Sequence, residues 1–365
     1  MNAPSSSEIE ISIFGRGYGE SILIHVGDGN WVLIDSLLEQ DGTPAALRYL
    51  SGLGVDPETA IRSILATHWH DDHVGGISRA YRAATTASLS LPNAMNEREV
   101  LAYLGQARTH RTERISSGIK ELEQLREIQI QDSREPIRFA KANTMLLRFQ
   151  PGVLSHGEAV AIEAISPCDA DVEVFLTHVA SAPSLLPGLR LMPFEQNDVS
   201  VAVWISIGAH RILLGADLET TSDSKRGWHA VLNSPAPLDG KAGVVKIAHH
   251  GSHNGHHQPA WDKLVGPNAM AGLTTWNRGT KLPKPSDIDR ILNLTPHAYV
   301  TSRIDRKPPP RPRAVERTLD EAGVSVRGTS PRAGHVRFRL DLTTPQAGWN
   351  IELQGDAVAL SEIAA

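Results

Sequence analysis

Four side chains that can bind metal, His68, His70, Asp72 and His73, fall within six consecutive positions of the run Ala66-Thr67-His68-Trp69-His70-Asp71-Asp72-His73-Val74-Gly75-Gly76. On an extended backbone His68 and His70, two apart, point the same way. Asp72 and His73 are adjacent, so they diverge and can reach a second ion. Imidazole with carboxylate is the ligand mix of zinc, manganese or iron rather than calcium. Asp217 closes the apolar stretch 211–216, where a buried carboxylate without a partner is costly. A bridging position between two cations would account for it. A third stretch, 243–248, delivers His249 and His250 into the turn Gly251-Ser252, and the spacing does not choose between the two histidines.

These groups need elements to hold them. Residues 61–65 read as a buried strand that ends in the histidine loop, and Gly75-Gly76 leads into a helix. Alternating Ile9, Ile11 and Ile13, then 21–26 and 31–35, read as consecutive antiparallel strands. The turn Gly15-Arg16-Gly17-Tyr18-Gly19 is glycine-rich but has strands on both sides. It therefore reads as a hairpin that allows close approach to the backbone, not as a phosphate cradle, which would need a helix next. Asp35 is either a turn cap or a carboxylate that orients a ligand histidine. Residues 43–53 read as a helix. Residues 93–127, with Leu101, Leu104, Ile115, Ile119, Leu122 and Leu125 at helical spacing, read as the core of a helical insertion spanning about 80–140. Its His110, Arg111 and Arg114 are candidates for a substrate groove, against a plain solvated face.

Strands resume at 144–149 and 159–165, with His156 in the turn between. Residues 172–193, containing Pro183 and Pro187, read as loop. Asn197 precedes the strand 201–205. His253, His256 and His257 read as a hydrophilic loop. Lys284 precedes the helix 287–294, and 299–301 is a short strand. Arg303, Arg306, Lys307, Arg311 and Arg313 surround Pro308-Pro309-Pro310 in a stiff basic loop, 303–313. The stretches 336–340 and 349–353 close the chain as a hairpin.

The chain has 365 residues, 41% of them hydrophobic, enough for a large core read here as one domain, 1–365. A net charge of −5 gives no global pull toward nucleic acid, so a polyanion would have to be held by a local patch. Aromatic residues make up only 5%, which offers no evident stacking platform for bases. A single cysteine, Cys168, excludes an intrachain disulfide and fits a reducing compartment, so a cytoplasmic location is expected. The first residues lack a basic region followed by an apolar core, so no secretion signal is read. No apolar run is long enough to span a bilayer, and no membrane association is expected.

The run from His68 to His73 resembles the HxHxDH signature of the metallo-β-lactamase superfamily. The order of the other motifs resembles its ComEC/Rec2 competence type, soluble branch: Asp35, HxHxDH, Asn197…Ser200, Asp217, His249-His250-Gly251-Ser252, then Asn277…Pro285-Ser286. The resemblance implies an αββα sandwich, α/β in class, with an inserted helical segment and a site for two divalent ions, Zn2+ or Mn2+, at strand ends. By position it makes His68 and His70 ligands of one ion and Asp72 and His73 ligands of the other. Asp217 is the bridge, and His249 or His250 completes the second site. Asn197 falls where many members place a third histidine, with His156 as the fallback. Departures from the pattern are Ala216 before Asp217, Gly255, and Lys284 before Pro285; they lie where substrate contacts would be.

The chemistry expected is hydrolysis with water activated between two cations. Asp72 would orient the water, and His250, His253 or Lys284 would supply a proton to the leaving group. Asn197, Ser252, Asn277 and Arg303 are the substrate-contact candidates. The branch resembled cuts phosphodiesters, so a nuclease or phosphodiesterase acting on DNA or RNA is the first expectation. A hydrolase of a lactone, thioester, β-lactam or phosphocholine ester is the alternative, and a non-catalytic binding module the third. A regulatory protein partner is left open.

Overall fold

The computed structural model describes residues 2–97, 100, 117–181, 196–304, 313–321, 333–344 and 348–363. The candidate groove residues His110, Arg111 and Arg114, and Arg306, Lys307 and Arg311 of the basic loop, lie outside them.

The strands in chain order are β1 (Glu8–Gly15), β2 (Glu20–His25), β3 (Trp31–Ile34), β4 (Ile61–Leu65), β5 (Ser88–Pro92), β6 (Arg138–Ala140), β7 (Thr144–Phe149) and β8 (Val160–Ala164). They continue with β9 (Val203–Ile207), β10 (His210–Leu214), β11 (Ala242–Lys246), β12 (Val265–Leu273), β13 (Ala298–Val300), β14 (Gly334–Asp341), β15 (Asn350–Gln354) and β16 (Val358–Ala359). Among the described residues they form two sheets of eight, in the orders β15-β14-β1-β2-β3-β4-β5-β6 and β16-β13-β12-β11-β10-β9-β8-β7.

Alternation explains the layering. Ile9, Ile11 and Ile13 point to one face of β1 and pack between the sheets with Ile22, Ile24, Ile205, Ile207, Ile212, Val336 and Phe338. The opposite face of β1 carries Glu10, which accepts hydrogen bonds from Tyr49 Oη at 2.7 Å and Arg339 Nε at 2.6 Å. Tyr49 belongs to the helix Ala45–Gly52. Two further apolar clusters lie under the outer helices, one on each sheet. The result is a helix–sheet–sheet–helix sandwich, as expected. The sheets approach closely at Gly334, where a Cβ would sit 1.5 Å from the Thr301 carbonyl oxygen.

Each sheet is antiparallel on one side and parallel on the other, except that β16 pairs antiparallel with β13 at the edge of the second sheet. The parallel pairs are β3–β4, β4–β5 and β5–β6 in one sheet and β10–β11, β11–β12 and β12–β13 in the other. Crossover helices Gly227–Leu232, Gln258–Leu264 and Pro285–Leu294 link the strands of the second set. The carboxyl ends of β3, β4, β10, β11 and β12 lead directly into Asp35, His68–His73, Asp217, His249-His250 and Thr274–Trp276. Open α/β sheets collect their ligands at this end of the strands.

Two expectations change. Residues 172–193 read as loop, but Asp169–Ala180 is a helix. Val172, Phe175 and Val179 share one buried face, and Asp171 Oδ2 accepts the Cys168 N–H at the helix start. The downstream prolines do not reach back to that segment. The stretch 80–140 also contains sheet strands β5 and β6, with its described helix at Ser117–Gln131, on which Ile119, Leu122, Leu125 and Ile128 are buried. No helix among the described residues is long and apolar enough to cross a membrane.

Candidate metal centre

The centre is built from Asp35 outward. At the end of β3, fully buried, Asp35 accepts the Thr67 N–H through Oδ1 at 2.7 Å. Its Oδ2 accepts from Thr67 Oγ1 and from His73 Nδ1, both at 2.7 Å. Since Thr67 Oγ1 spends its proton on Asp35, it accepts from His68 Nδ1 at 3.0 Å. One carboxylate thus sets the tautomers of two histidines, directly for His73 and through a hydroxyl for His68, and leaves both Nε2 atoms facing the centre. Of the two roles open to Asp35 from sequence, the structure shows the orienting one.

A second relay serves His250. Thr274 Oγ1 donates to Glu20 Oε2 at 2.7 Å and so accepts from His250 Nδ1 at 3.1 Å. Glu20 is in turn ion-paired at 2.7 Å with Lys246, whose side chain is completely buried. Lys246 also donates to the Ala216 carbonyl oxygen at 3.0 Å and lies 3.9 Å from Asp217 Oδ1. Glu20, Thr274 and Lys246 went unnoticed in the sequence. The signal for Lys246 was a lone lysine in the apolar strand Val244-Val245-Lys246-Ile247, and Glu20 stands just past the glycine turn.

Six of the expected ligands come together. His68 Nε2 lies 2.9 Å from His70 Nδ1 and 3.9 Å from Asp217 Oδ2. His73 Nε2 lies 3.5 Å from both Asp72 Oδ2 and Asp217 Oδ1. His250 Nε2 lies 3.3 Å from Asp72 Oδ2 and 3.8 Å from Asp217 Oδ2. Two groups of ligand atoms result, His68–His70–Asp217 and Asp72–His73–His250, each compact enough for one ion. Asp217 touches both groups, the position a bridging carboxylate needs.

Three features fit a cation pair. Asp72 Oδ2, His73 Nε2 and Asp217 Oδ1 are buried without a hydrogen-bond partner, which is costly unless something else satisfies them. Glu20, Asp35, Asp72 and Asp217 are all buried, against one ammonium buried among the described residues, that of Lys246, so the surroundings are strongly negative. Burial pushes His68 and His70 below the usual imidazole value, so both are neutral at pH 7 and offer lone pairs. Burial opposes a charge on His73, yet Asp217, Asp72 and Asp35 outweigh it and raise that ring. The same carboxylates would draw a divalent cation.

Backbone strain gathers here too. Asp35, Ala216, His249 and His250 all have positive φ, four of the seven such non-glycine residues among those described. Such strain clusters where function over-determines geometry.

The other candidates divide. His249 Nδ1 faces Glu219 Oε1 at 3.1 Å, and its Nε2 lies 3.4 Å from Asn197 Nδ2, so it borders the centre while His250 enters it. Asn197 donates to Glu219 at 2.8 Å and has its Oδ1 buried without a partner, beside the centre. His156 is excluded as a fallback ligand: Nε2 donates to the Val26 carbonyl oxygen at 2.9 Å and Nδ1 accepts the Glu158 N–H at 3.1 Å. Lys284 is exposed at the start of the helix Pro285–Leu294 and does not line the cavity over the centre. Ser252 donates to Asn254 Oδ1 and shapes the turn after His250. Asn277 donates its N–H to the Gly17 carbonyl oxygen at 2.6 Å and its side-chain amide to the Arg303 carbonyl oxygen at 3.2 Å. The guanidinium of Arg303 turns to Glu362 at 3.4 Å.

Above the centre is a cavity of about 470 Å³, lined among others by Tyr18, Trp69, Asn197, His249 and Trp276. Three aromatic rings, Tyr18, Trp69 and Trp276, thus face this cavity. Tyr18 is pushed up to about 12, by burial first and then by Asp72, so its hydroxyl keeps its proton.

Compared with known proteins, residues 14–106, which include the histidine loop, match the family model described as the metallo-β-lactamase superfamily. Among curated proteins none matches the chain. Similar solved structures include a subclass B3 metallo-β-lactamase from a soil metagenome library, at 16% identity and TM-score 0.33, covering 72% of this chain and 84% of that one. Zn(2+)-bound PqqB from Methylobacterium extorquens is similar at 14% identity and TM-score 0.31, covering 62% and 59%. A putative metallo-β-lactamase from Thermotoga maritima is similar at 12% identity and TM-score 0.33, covering 57% and 79%. With two mixed sheets between helix layers, and the superfamily match over residues 14–106, this chain has the metallo-β-lactamase fold.

Proposed function

We propose that this chain is a metal-dependent hydrolase, and that its substrates are phosphodiesters, nucleic acid among them. The observation that carries the hydrolase reading is the convergence of buried ligand atoms that make no hydrogen bond, Asp72 Oδ2, His73 Nε2 and Asp217 Oδ1, beneath an open cavity. His68, His70 and Asp217 would hold one divalent ion, and Asp72, His73, His250 and Asp217 the other. Zn2+ or Mn2+ there would lower the pKa of water and neutralise charge on the phosphoryl oxygens.

The chain's own residues supply the rest. The Asp72 carboxylate is held low by His73 and His250 against the opposing effect of burial, so it is ionised and can accept a proton from an attacking water. The Tyr18 hydroxyl, protonated across the working pH range, can donate to a phosphoryl or leaving oxygen. Support for phosphodiesters over other esters comes from the motif order and from the exposed Arg278, whose guanidinium lies over the ring of the cavity residue Tyr18. Purified protein with zinc or manganese should cut bis(4-nitrophenyl) phosphate and single-stranded DNA, and should stop with chelator. Asp72→Ala and His73→Ala should lower turnover by at least about a hundredfold. Equal cleavage by parent and variants would end this reading.

A further inference from the structure

The rings over the centre are organised. The Tyr18 and Trp276 centroids are 5.2 Å apart at 48°, and Trp276 lies 5.6 Å from the ring of His250 at 37°. The guanidinium carbon of Arg278 sits 3.3 Å from the Tyr18 ring centroid. Tyr18 and Trp276 are half-buried, whereas Arg278 is exposed. The two loops that carry them are joined by the Asn277 N–H to the Gly17 carbonyl oxygen at 2.6 Å. Gly17 has φ +83°, and a Cβ there would meet Asn277 Nδ2 at 2.5 Å, so only glycine lets the loops close. Trp69, deeper in, is committed to Phe175 at 5.5 Å.

We propose that Tyr18, Trp276 and Arg278 form a stacking subsite for a nucleobase carried on the scissile phosphodiester. The inference rests on the phosphodiester reading and names the group next to the phosphorus. An indole within 6 Å of a ligand histidine is close enough that a phosphoryl group over the centre would bring its attached base against the ring. Aromatic faces and a flat guanidinium stack on any base with little regard to sequence. Arg278 adds a positive charge beside an anionic ester, which the carboxylates of the centre do not.

Two substrates with the same leaving group test this: thymidine 5′-(4-nitrophenyl phosphate) and methyl 4-nitrophenyl phosphate. In each, water attacks phosphorus, the bond to nitrophenolate breaks, and TMP or methyl phosphate remains. The parent protein should show a KM lower by about tenfold or more for the thymidine ester. Trp276→Leu and Tyr18→Leu should bring the KM ratio toward one, while Trp276→Phe and Tyr18→Phe should keep it. A ratio near one in the parent, or one retained in both leucine variants, overturns the subsite. If neither ester is cut, the phosphodiester reading fails by itself, and tryptophan fluorescence then decides on the subsite. Saturable quenching by AMP but not by ribose 5-phosphate, lost in Trp276→Leu, supports it. Equal responses to both ligands overturn it. Competition by an octathymidylate at concentrations well below those needed for TMP would assign the base to a strand, and equal competition to a mononucleotide.

Discussion

His250 reaches Asp72 with its Nε2, while His249, one position earlier, has its Nδ1 3.1 Å from Glu219 Oε1. Both residues take left-handed backbone angles, which turns consecutive side chains in different directions. His250→Ala should therefore lose about one metal ion per chain by elemental analysis, and His249→Ala should retain the parent's content. No sequence pattern separates two adjacent histidines at a strand end; the backbone twist that does so is set by contacts such as His249 N–H to the Ala216 carbonyl oxygen. The hydroxyl relays give a second expectation. Thr274→Val and Thr67→Val should each weaken metal binding about 10- to 100-fold in competition with a chromogenic chelator. Unchanged affinity in both would mean that the hydroxyls do not fix the imidazoles. Lys246→Met leaves Glu20 buried without its ion pair and should cost about 3–5 kcal/mol in denaturant titration.

The elements act by placing strand ends. Apolar runs that stop at a polar residue are plain in one dimension, which is why β4, β10 and β11 and the candidate ligands at their ends were legible. That β12 brings Thr274 and Trp276 to the same edge was not, because a strand containing Gly266-Pro267-Asn268 lacks an apolar signature. The helix Asp169–Ala180 was hidden by the prolines at 183 and 187, which drew the reading of the whole stretch toward loop. The insertion helix Ser117–Gln131 is bound to the histidine loop. Glu121 accepts from the N–H groups of Gly76 at 3.1 Å and Ser78 at 3.0 Å, and Asp71 accepts from that of Gly118 at 2.7 Å. Glu121 thus caps the helix Ile77–Ala83, which has no side-chain cap at Gly76. Glu121→Ala should lower stability by about 1–2 kcal/mol in thermal or urea unfolding. A change near zero would show that solvent satisfies those N–H groups equally well.

At the scale of the whole molecule, the sandwich buries neutral histidines as well as the candidate metal ligands. Burial pulls His25 down to about 4 and His335 to about 3. His25 is satisfied only as a neutral ring, with Nδ1 donating to the Glu8 carbonyl oxygen at 2.8 Å and Nε2 accepting from the Gly29 N–H at 3.0 Å. An unfolded chain protonates both near pH 6.5, so it binds more protons than the fold below that pH. Their contribution is complete above pH 6.5 and drains away as pH falls toward 4 and then 3. The Tm of the parent should fall across that window, and His335→Gln should flatten the fall. A Tm that holds constant from pH 6.5 to 4 would contradict the burial of these rings. The fold class was legible because the run from His68 to His73 resembles a superfamily signature, whereas the strand alternation by itself implied only antiparallel strands at the start of the chain. The aromatic cavity was not, because a 5% aromatic content does not say where the rings gather. The most direct test of the account is elemental analysis of dialysed protein, parent beside Asp217→Ala. About two zinc or manganese ions per chain are expected in the parent and at most about one in the variant. A parent without bound metal, or a variant that binds as much as the parent, would contradict it.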